Sequence, residues 1–168
     1  MPQTPLRKPN RLANYDYSQN GAYFITFCTK GRQELLSSIG EANCVRPTLT
    51  SVGELVENEL VKLSTVYGSV TLEKYVIMPN HVHMIILIYG AEQTGTTVKV
   101  IPTVSRIIKQ FKGAITKQLG QSIWQTSFHD HIIRNESDYL RIWKYIEENP
   151  ILWAEDCFND SSHANCDT

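Results

Sequence analysis

Apolar residues fall along this chain in two rhythms, and the changes between them predict the order of its elements. Residues 22–29 (AYFITFCT) are dense in aromatic and β-branched side chains and follow Gly21, which predicts a strand. From Ser51 the spacing turns helical, with Val52, Leu55, Val56, Leu60 and Leu63 on one stripe. Glu54 stands three residues after Ser51, as in a capping box, and Gly68 closes the segment. Residues 70–78 and 81–89 read as two strands separated by Pro79-Asn80. A second helix is expected over 103–119, where Val104, Ile107, Ile108, Phe111, Ile115 and Leu119 form the apolar stripe. Residues 124–133 are mixed and should hold a short strand. A third helix is expected from Ser137 to Asn149, because Pro150 disfavours helical geometry in the residue before it. Short apolar pieces at 35–39 and 45–49 suggest an irregular hairpin, and 90–97 a loop.

The order strand, helix, strand, strand, helix, strand, helix predicts an α+β fold, with an antiparallel sheet and helices packed on one face. Three regions are expected. Residues 1–20 are polar and rich in Pro and Asn, and Arg7, Lys8 and Arg11 make them a basic arm. Residues 21–154 form one domain, and 155–168 an acidic tail expected to be loose. No repeat is visible.

Composition adds limits. The 168 residues suffice for a sizeable core without staples. No apolar run reaches the roughly 18 residues of a membrane span, so no membrane partner is expected. The first residues lack the apolar core of a secretory signal, and the cysteines (Cys28, Cys44, Cys157, Cys166) show no C-x-x-C spacing. Free thiols and a cytoplasmic location are expected. The formal net charge is −1, yet four of the 17 acids lie in the tail, leaving 13 against 16 basic residues elsewhere. That body permits a nucleic-acid groove without requiring one.

Two constellations could carry chemistry. His81-Val82-His83 lies inside a predicted strand, so both imidazoles project from one face, about 7 Å apart at Cα. They can converge on one metal ion while Val82, Met84, Ile86 and Ile88 face a core; a structurally satisfied pair of histidines has the same spacing. On the last helix Tyr145 and Asn149 are four residues apart and share a face. A tyrosine can serve as a covalent nucleophile, and an amide beside it can supply a metal-ligating oxygen. Equally, Tyr145 could be an amphipathic core residue and Asn149 the helix stop before Pro150. Arg106, Lys109 and Lys112 recur every three residues on the second helix as candidate phosphate contacts, or as a solvated face. His129 and His131 are candidate proton carriers, or structural residues.

The string Tyr75-Val76-Ile77-Met78-Pro79-Asn80-His81-Val82-His83 resembles the signature of the HUH-type single-tyrosine transposases. Residues 138–150 (DYLRIWKYIEENP), with Ile133-Arg134 before them, are similar to the C-terminal helix of the REP-associated tyrosine transposases, an IS200-like branch. Tyr15-Asp16-Tyr17 and residues 21–26 resemble that family's entry into its first strand. The resemblance spans roughly residues 7–154. It implies a ferredoxin-like sheet, with His81 and His83 as ligands of a divalent cation, Mg²⁺ or Mn²⁺. It implies Tyr145 as nucleophile in preference to Tyr139, and Asn149 as the third ligand with Glu148 as fallback. The implied reaction cleaves and rejoins single-stranded DNA through a 5′-phosphotyrosine, at hairpin-flanked sites. The resemblance leaves monomer and homodimer open. The rival expectations are a hairpin-binding descendant without strand transfer and a small metal-binding or regulatory module with no nucleic-acid partner.

Overall fold

In this computed structural model the described residues are 20–40, 46–90, 101–156, 158 and 159. The basic arm, with Arg7, Lys8 and Arg11, lies outside them. The first predicted strand is β1 (Gly21–Cys28), followed by a 3-10 turn at Lys30–Arg32. The expected irregular hairpin is a two-residue ladder, β2 (Ser37–Ser38) on β3 (Thr48–Leu49). Next come α1 (Ser51–Val61), the short α2 (Leu63–Val66), β4 (Val70–Ile77) and β5 (His81–Ile88). The chain continues through α3 (Val104–Leu119), β6 (His129–Ile133), α4 (Glu136–Glu148) and a 3-10 turn at Trp153–Glu155.

The helix ends follow local chemistry. Thr50, one residue before the expected cap, takes the α1 N-terminus: its hydroxyl accepts from Gly53 N at 3.1 Å and donates to Leu35 O at 2.7 Å. Thr103 caps α3, which ends at Gly120 in the left-handed region that favours glycine (φ 72°). Asn135 caps α4, its Oδ1 accepting from Asp138 N at 2.8 Å. Gly53 allows α1 to approach the chain closely, since a Cβ there would stand 1.9 Å from Leu36 O.

The sheet is antiparallel throughout, in the order β4-β5-β1-β6. With α1 and α3 in its crossovers, this is the ferredoxin-like order. Strand alternation then sorts side chains by face. Tyr23, Ile25, Phe27, Val82, Met84, Ile86 and Ile88 meet Val56 and Leu60 of α1 and Val104, Ile107, Ile108, Phe111 and Ile115 of α3 in one large core. The expectation of helices on one face holds for α1 and α3. It does not hold for α4, whose Ile142 and Ile146 join Val76, Met78, Ile85 and Ile133 in a smaller core on the other face. A second apolar surface exists there because Phe24 and Ile85 point that way, and α4 buries it. His81 and His83 share that second face.

A buried histidine pair under the last helix

The register aligns Thr26 of β1 with His83 and Cys28 with His81. Both imidazoles are buried (0% and 1% exposed), with ring centroids 4.5 Å apart. Their outward nitrogens are held from behind. Asn80 Nδ2 donates to Arg32 O (3.2 Å) and Phe158 O (2.7 Å), which fixes the amide so that its Oδ1 must be the atom accepting from His81 Nδ1 at 2.9 Å. His81 Nε2 therefore carries the lone pair, and this buried atom has no hydrogen-bond partner among the described residues. His83 Nδ1 lies 2.7 Å from Thr26 Oγ1. Burial pushes the His81 imidazole down to about 4, against the opposing pull of the Asp156 charge and of the Asn149 side chain beside it. Burial, then the neighbouring His81, holds His83 well below its ordinary value. Both rings are neutral at pH 7, the form that ligates a cation.

α4 brings the expected tyrosine and amide to the same place. Tyr145 Oη lies 3.3 Å from His83 Nε2, and its ring stands edge-on to Phe24. The residue is 40% exposed, so the phenol is open to solvent on one side. Tyr139 goes elsewhere, its hydroxyl donating to Glu73 Oε2 at 3.4 Å. Asn149 is buried at the end of α4, where Nδ2 donates to Asp156 Oδ2 at 2.8 Å. That bond orients the amide and leaves Asn149 Oδ1 buried without a hydrogen-bond partner among the described residues. The fallback residue, Glu148, pairs instead with Lys144 at 3.6 Å.

Sequence reasoning missed Asp156, and the 154/155 boundary of the expected loose tail cuts through the site. Asp156 is buried, its Oδ2 4.0 Å from His81 Nε2, and candidate ligand atoms of His81, His83 and Asp156 all lie within 4.8 Å of one another. Trp153 and Phe158 cover the His81 ring at centroid distances of 5.9 and 4.6 Å. The segment turns back after Pro150 and caps the site with aromatic rings. No periodicity signals such a return. The sequence marks Asn80 as a turn residue and as part of the string before His81, and its adjacency to His81 is the signal for the supporting role it has here.

The expected basic stripe is elsewhere. It lies on α3, across the sheet from the histidines. On that stripe Lys112 turns to the protein itself: its Nζ donates to Gln125 O (2.8 Å) and Ser127 O (2.9 Å) beside Phe27 and Phe128. Burial pushes that ammonium down to about 8. Its charge is used inside the fold, while Arg106 and Lys109 remain exposed. His131 pairs with Asp138 at 2.7 Å, and Arg141 binds the other Asp138 oxygen at 2.5 Å.

Two nitrogen ligands and two oxygen donors, with two buried atoms lacking partners, suit a divalent cation. Residues 17–149 match the family model described as transposase, IS200 like. An uncharacterized protein of Haemophilus influenzae is 32% identical over an alignment of 171 positions that covers 89% of this chain and 91% of that protein. A solved structure of a REP-associated tyrosine transposase bound to a REP hairpin shares the fold. Its TM-score is 0.60 over 84% of this chain and 73% of that one, at 24% identity. No helix among the described residues is long and apolar enough to cross a membrane.

Proposed function

The chain belongs to the IS200-like transposase family, and from that premise we propose that it cleaves and rejoins single-stranded DNA with Tyr145 as nucleophile. The observation that supports this reading is the placement of the Tyr145 hydroxyl 3.3 Å from His83 Nε2, at the mouth of a buried set of cation donors. Family members generally use a divalent metal, and the donor set here fits one: His81 Nε2, His83 Nε2 and Asn149 Oδ1 would hold it. A Mg²⁺ or Mn²⁺ ion bound there would polarise the scissile phosphate and offset the charge building on it.

The protein's own groups do the remainder. Tyr145 Oη attacks phosphorus in line, forming the Tyr–O–P bond as the P–O3′ bond breaks. The electron pair of that bond leaves with O3′, which acquires a proton as the phenol loses one, so the exchange is balanced. Because one phosphate ester replaces another, a different 3′-hydroxyl can reverse the step and join a new strand. Phe24 and His83 hold the phenol ring at centroid distances of 6.1 and 5.2 Å, limiting the orientations it must lose before attack. Partial exposure of Tyr145 lets a strand reach it from solvent. The substrate proposed is a DNA hairpin with a flanking single strand, in line with the hairpin held by the structural relative.

The test is incubation with labelled hairpin-bearing single strands and Mg²⁺ or Mn²⁺. A denaturant-resistant adduct that is lost with chelator and in Tyr145→Phe supports the reading. Hairpin binding with no adduct over a broad substrate set would favour a binding-only descendant.

A further inference from the structure

We infer that Asp156 is a metal ligand of this site, supplying from beyond α4 the anionic donor that the histidines and the amide lack. The inference rests on the metal-dependent reading above and extends the site past residue 150. Asp156 is buried, and its two oxygens have different surroundings. Phe158 N donates to Oδ1 at 2.8 Å, which pins the carboxylate to its own turn. Oδ2 receives Asn149 Nδ2 and stands 4.0 Å from the unpartnered Nε2 of His81. Two ligands on opposite sides of one octahedral cation stand about 4.2 Å apart. The candidate ligand atoms of His81, His83 and Asp156 lie within 4.8 Å of one another; only one pair of the three can be opposite, so a bound cation would draw the others together toward the about 3 Å of adjacent ligands.

Charge gives the second argument. Two neutral imidazoles and an amide leave both charges of a hard cation uncompensated in a buried place, whereas Mg²⁺ and Mn²⁺ favour carboxylate oxygen. Asp156 offsets one of them. The Asn149 amide then has two tasks: Nδ2 fixes the carboxylate, and the unpartnered Oδ1 completes the donor set. Such hydrogen-bonded support of a ligating carboxylate is common around metal sites. The turn at Trp153–Glu155 and the Phe158 ring serve as the frame that returns Asp156 to the sheet.

The experiment is Mn²⁺ titration of the full chain by calorimetry and by the electron-spin signal of free Mn²⁺, without DNA. Asp156→Asn should weaken Mn²⁺ binding at least tenfold, and Asp138→Asn, an ion-paired carboxylate outside the site, should leave it unchanged. Wild-type affinity in Asp156→Asn, with binding lost in His81→Ala, would overturn the ligand role and leave the metal reading standing. Absence of Mn²⁺ binding by the wild-type chain would overturn both. Should Asp156→Asn fail to fold, infrared difference spectra of wild-type protein carrying ¹³C-carboxylate aspartate decide the matter. A shifted carboxylate band on Mn²⁺ addition is expected, and an unshifted one rejects coordination.

Discussion

The phenolic oxygen of Tyr145 lies 3.3 Å from Nε2 of His83, while the hydroxyl of Tyr139, two turns earlier, is turned to Glu73 at 3.4 Å. One helix thus carries two tyrosines with different partners. Tyr145→Phe should abolish the covalent DNA adduct while shifting stability by no more than about 1 kcal/mol, the worth of one part-exposed hydrogen bond. Tyr139→Phe should retain the adduct. Denaturing gels of the two variants beside urea unfolding check both statements, and an adduct surviving in Tyr145→Phe would exchange their roles.

The histidine pair makes a prediction about pH in chelator. In the unfolded chain each imidazole takes its proton near pH 6.5, whereas folded His81 resists until about 4 and His83 is also well depressed. Between these values the unfolded state binds more protons, so stability is full above pH 6.5 and is lost as pH falls toward 4. At pH 5 the loss from His81 alone is of the order of 2 kcal/mol. Urea midpoints at pH 7.5 and pH 5 measure it, and His81→Asn should lessen the dependence, leaving the share of His83. An unchanged midpoint in the wild type would contradict burial of two neutral rings.

Lys112 is expected to act on stability and not on DNA binding. Lys112→Met keeps the apolar stem but leaves Gln125 O and Ser127 O without their donor. The cost should be about 2 kcal/mol. Lys109→Met, on the exposed side of α3, should fall within about 0.5 kcal/mol of wild type. Salt dependence of single-strand binding should be the same for wild type and Lys112→Met; a slope lower by about one would show a phosphate contact instead.

Asn80 joins three parts of the site, holding Arg32 O, Phe158 O and His81 Nδ1. Asn80→Ala should destabilise the protein by about 3 kcal/mol, since buried groups lose their partners together. It should also weaken Mn²⁺ binding by tenfold or more, because His81 loses the acceptor that sets its tautomer. Asn80→Asp, which keeps an acceptor but replaces the two N–H donors, should be destabilised as well. Mn²⁺ affinity unchanged in Asn80→Ala would assign Asn80 to the fold alone.

Local periodicity determined most of the elements of this protein. A two-residue alternation over 81–88 placed both histidines on one face of a strand and Val82, Met84, Ile86 and Ile88 on the other. Three- and four-residue spacing announced α3 and α4 to within a residue of their observed ends and put Tyr145 and Asn149 on one side of a helix, whereas the single helix expected between Ser51 and Gly68 divides at Lys62 into α1 and α2. These features follow from backbone geometry repeated over short distances, which a sequence displays directly. Tertiary structure decided which helix covers which face. The apolar stripes of α3 and α4 look alike, yet one lies over Phe27 and the other over Phe24 and Ile85, so the basic stripe of α3 falls across the sheet from the histidines. It also decided that Lys112 turns inward to two carbonyls and that Asp156, in a stretch read as loose tail, reaches His81. Such contacts join residues from about a dozen to several dozen positions apart, and no local rhythm encodes them; they exist because a folded sheet brings distant strands and their flanking turns into one dry place.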